Sequence, residues 1–256
     1  MKGTVICDLD GVLFVGSRPI PGAGEALTRL AEQGYDLLFC TNNSYRTVGD
    51  LVKRIRALVG FPAEAEQVVG SAEAAARLLA GRVERAYVLG GEGITEALAS
   101  VGVDQVDEWT RAQAVVVGLD RDLDYDRLAA AVLAVSRGAL LVATNEDPTW
   151  PGPEGLYPGA GAILAAVETA TGRTAEVAGK PRMPMRDALK TRIRSEPVWV
   201  VGDRPETDLA MAKAEGWKGV LVLTGVVQPG QDPDPAPDHV LDSIADLPEL
   251  LDQTQR

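Results

Sequence analysis

The sequence predicts an α/β protein built on parallel sheets, with a discontinuous core into which a second α/β unit is inserted. Three observations predict it. Apolar runs of strand length recur along the chain, each followed by an amphipathic segment with helical spacing. The runs are rich in valine, isoleucine and leucine and stop at Gly, Asp or Asn, as strands buried on both faces do. The unusual polar strand ends gather in residues 1–82 and 178–256, so that 83–177 reads as a separate unit with three strands of its own. Strands alternating with helices are what parallel βαβ connections require.

Taken in order, the strand candidates are TVICDLD, YDLLFCTNN, AYVLGG, AVVVGLD, ALLVATN, VWVVGD and GVLVLTG. The helical candidates between them are GAGEALTRLAEQG, VGDLVKRIRALVG, GITEALASVG, DYDRLAAAVLAVSRG, GAILAAVETATG and TDLAMAKAEG, several closing on a glycine as helix C-termini do. The alanines of DRLAAAVLAV are read as helix propensity rather than as a partner face. The two PGAG copies, at 21–24 and 158–161, are short helix entries, and the Pro- and Asp-rich VVQPGQDPDPAPDHV is expected to be a surface loop.

Composition excludes several functions. The 256 residues carry a net charge of −12, which repels polyanions and argues against nucleic-acid binding. No apolar run approaches the ~20 residues of a membrane span. MKGTVICDLD enters a strand almost at once, with no basic segment and long apolar stretch, so a cytoplasmic location is expected. Two cysteines, Cys7 and Cys40, make neither a disulfide framework nor a zinc cluster. The single histidine, His239, has no nucleophile near it in sequence and is read as a surface or packing residue.

In open α/β sheets ligands bind beyond the carboxyl ends of the strands, so the strand ends are where chemistry is sought. The first candidate strand ends in Asp8-Leu9-Asp10-Gly11, the second in Thr41-Asn42-Asn43-Ser44, and VWVV in Gly202-Asp203-Arg204 with Asp208 five residues after Asp203; Lys180 lies in AGKP. Converging carboxylates repel one another unless a cation neutralises them, and a hard cation with oxygen ligands such as Mg²⁺ is the natural partner. One carboxylate can then attack phosphorus while another, nearby, moves protons. Thr41, backbone amides and a lysine suit the charge that builds on a transferring phosphoryl group. Gly11 lets the chain turn sharply and bring N–H groups close to an anion.

DLDGVL, TNNS, GKP and GDRPETD, in that order and widely spaced, resemble the four motifs of the haloacid dehalogenase superfamily of phosphatases. The longer stretches DLDGVLFVGSRPIPGAGEAL and GDRPETDLAMAKAEGWKGVLVLTGV, with TNEDPTWPGPEGLYPGAGAI between them, are similar to its class IIA, NagD-like branch. The resemblance implies a Rossmann-like three-layer core over 1–82 and 178–256 with an α/β cap over 83–177. It implies Asp8 as nucleophile and Mg²⁺ ligand. It makes Asp10 the general acid/base, with its backbone carbonyl on the metal. Thr41 and Asn42 would bind the phosphoryl group, and Lys180 would neutralise both that group and Asp8. Asp203 becomes a metal ligand, and Asp208 orients the metal's water shell. Ala212 stands where the family often has glycine. Superfamily members that lack the second aspartate, such as the P-type ATPases, do not depend on rapid hydrolysis of the aspartyl-phosphate, so Asp10 favours a phosphatase or a mutase.

The implied substrates are small phosphorylated metabolites: phosphoglycolate, glycerol phosphate, nucleoside monophosphates, pyridoxal phosphate or sugar phosphates. In the cap, residues 145–162 read as a lid, with Asn145 and Asp147 nearest the leaving group. Dimerisation through the cap is a further implication. Two alternatives stand beside the phosphatase: a phosphomutase or phosphotransferase using the same chemistry, and a non-catalytic phosphate-ester sensor, against which Asp10 argues. LGGEGITEAL at 89–98 lacks the spacing of a dinucleotide or P-loop motif and is read as a tight turn. Cys7 and Cys40 each precede a site residue and are read as small buried hydrophobes, a redox link between them requiring neighbouring strands.

Overall fold

The computed structural model describes residues 1–152, 154–227, 230 and 232–254. The chain divides into two compact units: Met1–Thr41, Gly49–Val69 and Leu189–Arg256 form the first, Asn42–Val48 and Gly70–Ala188 the second. The second is thus wider than the insertion expected at 83–177.

The first unit is organised by a six-stranded sheet in the order His239–Leu241, Lys218–Val222, Val198–Gly202, Gly3–Cys7, Tyr35–Thr41, Val68–Gly70. Gly3–Cys7 is buried at every position and pairs in parallel on both sides, Cys7 standing opposite Phe39 on one flank and Val201 on the other. From this strand the chain builds outward in one direction and later returns to build outward in the other. The order therefore reverses between Gly3–Cys7 and Val198–Gly202, which makes a switch point with a crevice at the strands' carboxyl ends. The helix Ala23–Glu32 covers the sheet with Ala23, Ala26, Leu27 and Leu30, one stripe at helical spacing. Burial of each of those leucines stabilises the unit by roughly 1.5–3 kcal/mol.

The second unit has its own parallel sheet, ordered Glu176–Val177, Leu140–Ala143, Ala114–Val117, Arg85–Leu89, Asp104–Gln105. Tyr87, Leu89, Val115, Val117, Leu141 and Ala143 pack on one face against Ala131, Ala134 and Val135 of helix Tyr125–Ser136 and Ile163, Leu164 and Val167 of helix Ala160–Thr171. An antiparallel hairpin pairs Thr149–Gly152 with Gly155–Pro158 and sets the Trp150 and Tyr157 rings 5.4 Å apart.

Every strand expected from an apolar run is present. The additional strands are short. Val68–Gly70, Asp104–Gln105, Glu176–Val177 and His239–Leu241 have two or three residues each and lie at sheet edges, where no apolar run is needed. His239 is a packing residue, its ring 5.9 Å from that of Trp199. The segment expected to be the helix TDLAMAKAEG starts as a π-helical turn, Pro205–Leu209, and becomes α-helical only at Ala210–Glu215.

Candidate active site

Three carboxylates meet at the switch point of the first sheet. Asp8 directly follows Gly3–Cys7, its N–H donating to Val201 O at 2.9 Å. Asp203 directly follows Val198–Gly202, and Asp208 is brought back by the π-helical turn. An oxygen from each lies within 4.8 Å of the others, and the residues are only 8%, 3% and 1% exposed. Asp203 Oδ2 accepts the Val226 N–H at 2.9 Å. Asp208 Oδ2 accepts the Arg204 N–H at 3.3 Å and the Thr207 hydroxyl at 3.4 Å.

Glycines make room for these groups. A Cβ on Gly11, whose φ is +87°, or on Gly225 would collide with the Asp203 carboxylate, and one on Gly202 would collide with Asp208. The Thr224 hydroxyl donates to Gly11 O at 2.5 Å and ties the two sides of the Asp203 cradle together. Gly202 and Gly225 were not among the sequence-level candidates; a glycine next to a polar strand end is the signal that could have found them. The donor set fits a hard divalent cation: three buried carboxylates sharing one small volume demand positive charge, and oxygen ligands suit Mg²⁺.

Asp10 is half-buried and forms a bridge with Phe14, reinforced by Gly11 N–H donating to Phe14 O at 2.8 Å. The hairpin of Phe14–Val15 and Arg18–Pro19 that follows is gripped by Arg54, whose guanidinium lies 4.5 Å over the Phe14 ring and donates to Gly16 O. Thr41 closes Tyr35–Thr41 and is 2% exposed.

The remaining expected residues gather in the second unit. The Asn42 side chain accepts the Lys180 N–H at 2.8 Å and donates to Asp147 at 3.2 and 3.3 Å. Asn145 donates to Asn42 O at 2.8 Å and accepts the Asp147 N–H at 3.1 Å. Asn42, Asn145 and Lys180 are all buried. Within the first unit Asp8 meets Asp203 and Asp208, and within the second Asn42 meets Asn145, Asp147 and Lys180.

Cys7 and Cys40 are both buried and neither is in a disulfide. Their strands are neighbours, but Cys7 stands opposite Phe39, so Cys40 points to the other face of the sheet. The redox link is therefore ruled out by register. Burial, helped by the adjacent Asp8 carboxylate, pushes the Cys7 thiol up to about 12. Iodoacetamide at about pH 8 is expected to leave Cys7 unlabelled in the folded protein and to label it after unfolding, as read by peptide mass spectrometry. A raised thiol pKa destabilises the fold only where the unfolded thiol would ionise. This contribution to stability is intact below about pH 9 and is lost progressively up to about pH 12.

Known proteins bear on this geometry directly. A haloacid dehalogenase-like hydrolase family model matches residues 5–104, and a second, HAD-hydrolase-like model matches 177–247. Chronophin from Mus musculus is 40% identical over 97% of this chain and 92% of its own length. D-glycerol 3-phosphate phosphatase from Mycobacterium tuberculosis is 40% identical over 87% of this chain, which spans 63% of that relative's length. A crystal structure of a glycerol phosphate phosphatase from Mycobacterium tuberculosis in complex with magnesium superposes with a TM-score of 0.85 at 37% identity, covering 94% of this chain and 76% of that one. Among the described residues no helix is long and apolar enough to cross a membrane. The match runs through the strands that carry Asp8 and Asp203, and this chain belongs to the haloacid dehalogenase-like hydrolases, in their class IIA, NagD-like branch.

Proposed function

We propose that this chain is a Mg²⁺-dependent phosphatase that hydrolyses small-molecule phosphomonoesters through an aspartyl-phosphate. The observation that carries the reading is the meeting of Asp8, Asp203 and Asp208 in a buried crevice, with Asp10 two residues after Asp8. Asp8, Asp203 and the backbone carbonyl of Asp10 would hold the metal, with Asp208 ordering its waters. When bound, Mg²⁺ neutralises the carboxylates and the phosphoryl oxygens they face.

The chain's own groups do the rest. Asp8 attacks phosphorus, and the bond from phosphorus to the ester oxygen breaks as the Asp10 carboxyl gives that oxygen its proton. Asp10, now a carboxylate, takes a proton from water as the water attacks the aspartyl-phosphate. The bond from phosphorus to Asp8 breaks, which regenerates both side chains and releases inorganic phosphate. Thr41 and Asn42, the latter through its backbone N–H, are assigned to the phosphoryl oxygens and Lys180 to their charge.

Glycerol phosphates are the favoured substrates, in line with the name of the relative from Mycobacterium tuberculosis. Residues 83–177 are proposed as the cap, and a cytoplasmic enzyme is the expected setting. The exposed apolar residues on cap helix Tyr125–Ser136 are Tyr125 and Leu133, not its alanines, and they favour dimerisation through this element.

The test is phosphate release from a panel of phosphomonoesters, each supplied as the sole substrate. Turnover is expected with Mg²⁺ and is expected to vanish in EDTA and return when Mg²⁺ is restored. A phosphomutase or phosphotransferase would release no phosphate under those conditions, and a sensor would bind the esters without turning them over.

A further inference from the structure

We propose that Asn42, Asn145 and Asp147 form a clasp that positions Lys180, so that Asp147 affects catalysis through Asn42 rather than by touching the leaving group; the proposal rests on the phosphatase reading above. A carboxamide offers one acceptor oxygen and two donor hydrogens, and Asn42 commits all of them. Its Oδ1 accepts the Lys180 N–H at 2.8 Å, and its Nδ2 donates to the Lys180 carbonyl at 3.4 Å. The side chain therefore pairs with both backbone groups of Lys180, much as a neighbouring strand would. The second Nδ2 hydrogen is shared between the Asp147 carboxylate oxygens at 3.2 and 3.3 Å.

The Asp147 charge fixes the sense of this pairing. Turning the Asn42 amide over would set its oxygen against a carboxylate and its NH₂ against the Lys180 N–H, so one orientation is strongly favoured. Asn42 is anchored from behind as well, its carbonyl accepting from Asn145 Nδ2 at 2.8 Å and from Ser71 Oγ at 2.7 Å. Asn145 in turn accepts the Asp147 N–H at 3.1 Å, which closes the circuit. Gly179 lets the lysine loop come this close: a Cβ there would lie 2.6 Å from Asn42 Oδ1 and 3.2 Å from Asn145 Cβ.

A cation that must meet developing charge has to be held in place, and a misplacement of about 1 Å can cost about 10²-fold in rate. A positioning role and a leaving-group role predict different patterns. A residue that selects the leaving group changes the ranking of substrates. A residue that positions Lys180 lowers all of them alike, and weakens binding of inorganic phosphate, which has no leaving group.

The experiment measures kcat/KM for p-nitrophenyl phosphate, glycerol phosphate and a sugar phosphate, together with inhibition by inorganic phosphate. D147A is expected to lower all three kcat/KM values by a similar factor, about 10- to 100-fold, and to weaken phosphate inhibition. D147N keeps an oxygen for the Asn42 amide and is expected to stay within a few-fold of wild type. N42D alone sets two carboxylates against each other and is expected to fall as far as D147A. The double variant N42D/D147N is expected to recover part of that loss, because the introduced carboxylate accepts from the Lys180 N–H and from the introduced amide while the bond to the Lys180 carbonyl is lost. The proposal is overturned if D147A reorders the substrates while phosphate inhibition is unchanged, or if N42D/D147N is no better than N42D when both melt as wild type does. A wild-type chain that releases no phosphate from any ester would sink the phosphatase reading instead, and calorimetric binding of inorganic phosphate to the same variants would then decide the clasp separately.

Discussion

Asp8→Asn is expected to reduce phosphate release by about 10⁴-fold or more for every ester, because an amide nitrogen at the attacking position cannot form the covalent intermediate. The substitution is nearly isosteric, so the crevice keeps its shape. It also removes one of three buried charges whose oxygens lie within 4.8 Å of one another. At that separation each like-charge pair costs on the order of 3 kcal/mol at an effective dielectric constant of ~20. The variant is therefore expected to melt higher than wild type in EDTA, and to gain less from added Mg²⁺. Turnover by D8N above about a tenth of wild type would remove Asp8 from the nucleophile's role, since losing a nucleophile costs orders of magnitude more. A lower melting temperature in EDTA would show that the three carboxylates do not repel as their spacing requires.

The groups in this prediction were legible in the sequence because they obey a local rule. Asp8 and Asp203 each end a buried apolar run, and a polar residue at the carboxyl end of a parallel strand has little to do except face a ligand. What places them side by side is the pairing of Cys7 with Val201, a long-range contact that periodicity does not encode. The edge strands were invisible for a different reason: Asp104–Gln105 and Glu176–Val177 are partly exposed and too short for a hydrophobic pattern. The roles of Gly202 and Gly225 depend on a side chain arriving from elsewhere. So does the commitment of the Asn42 amide, whose partners Asp147 and Lys180 lie 105 and 138 positions away. Asn42, Asn145 and Asp147 could be singled out by their place at strand ends, but their mutual hydrogen bonds could not.

Asp10→Asn is expected to separate the two halves of the reaction. The proposed acid/base donates a proton to the leaving oxygen and later accepts one from water, and each role is worth about 10²- to 10⁴-fold. An alkyl phosphate needs both, so glycerol phosphate hydrolysis should fall by the larger factor at its first step. The p-nitrophenolate anion leaves without a proton, so transfer to Asp8 should survive while hydrolysis of the aspartyl-phosphate stalls for want of a base. Rapid mixing should then show a burst of p-nitrophenol followed by a slow steady rate. Intact-mass measurement of the quenched protein should show the phosphorylated chain, absent in D8N/D10N. The Asp10–Phe14 bridge and the Gly11 N–H to Phe14 O bond are backbone features that D10N leaves untouched. Slowing of glycerol phosphate alone, with p-nitrophenyl phosphate unchanged and no burst, would mean that Asp10 acts on the first step alone. Equal slowing of both substrates with no burst would mean that it holds the turn rather than the proton.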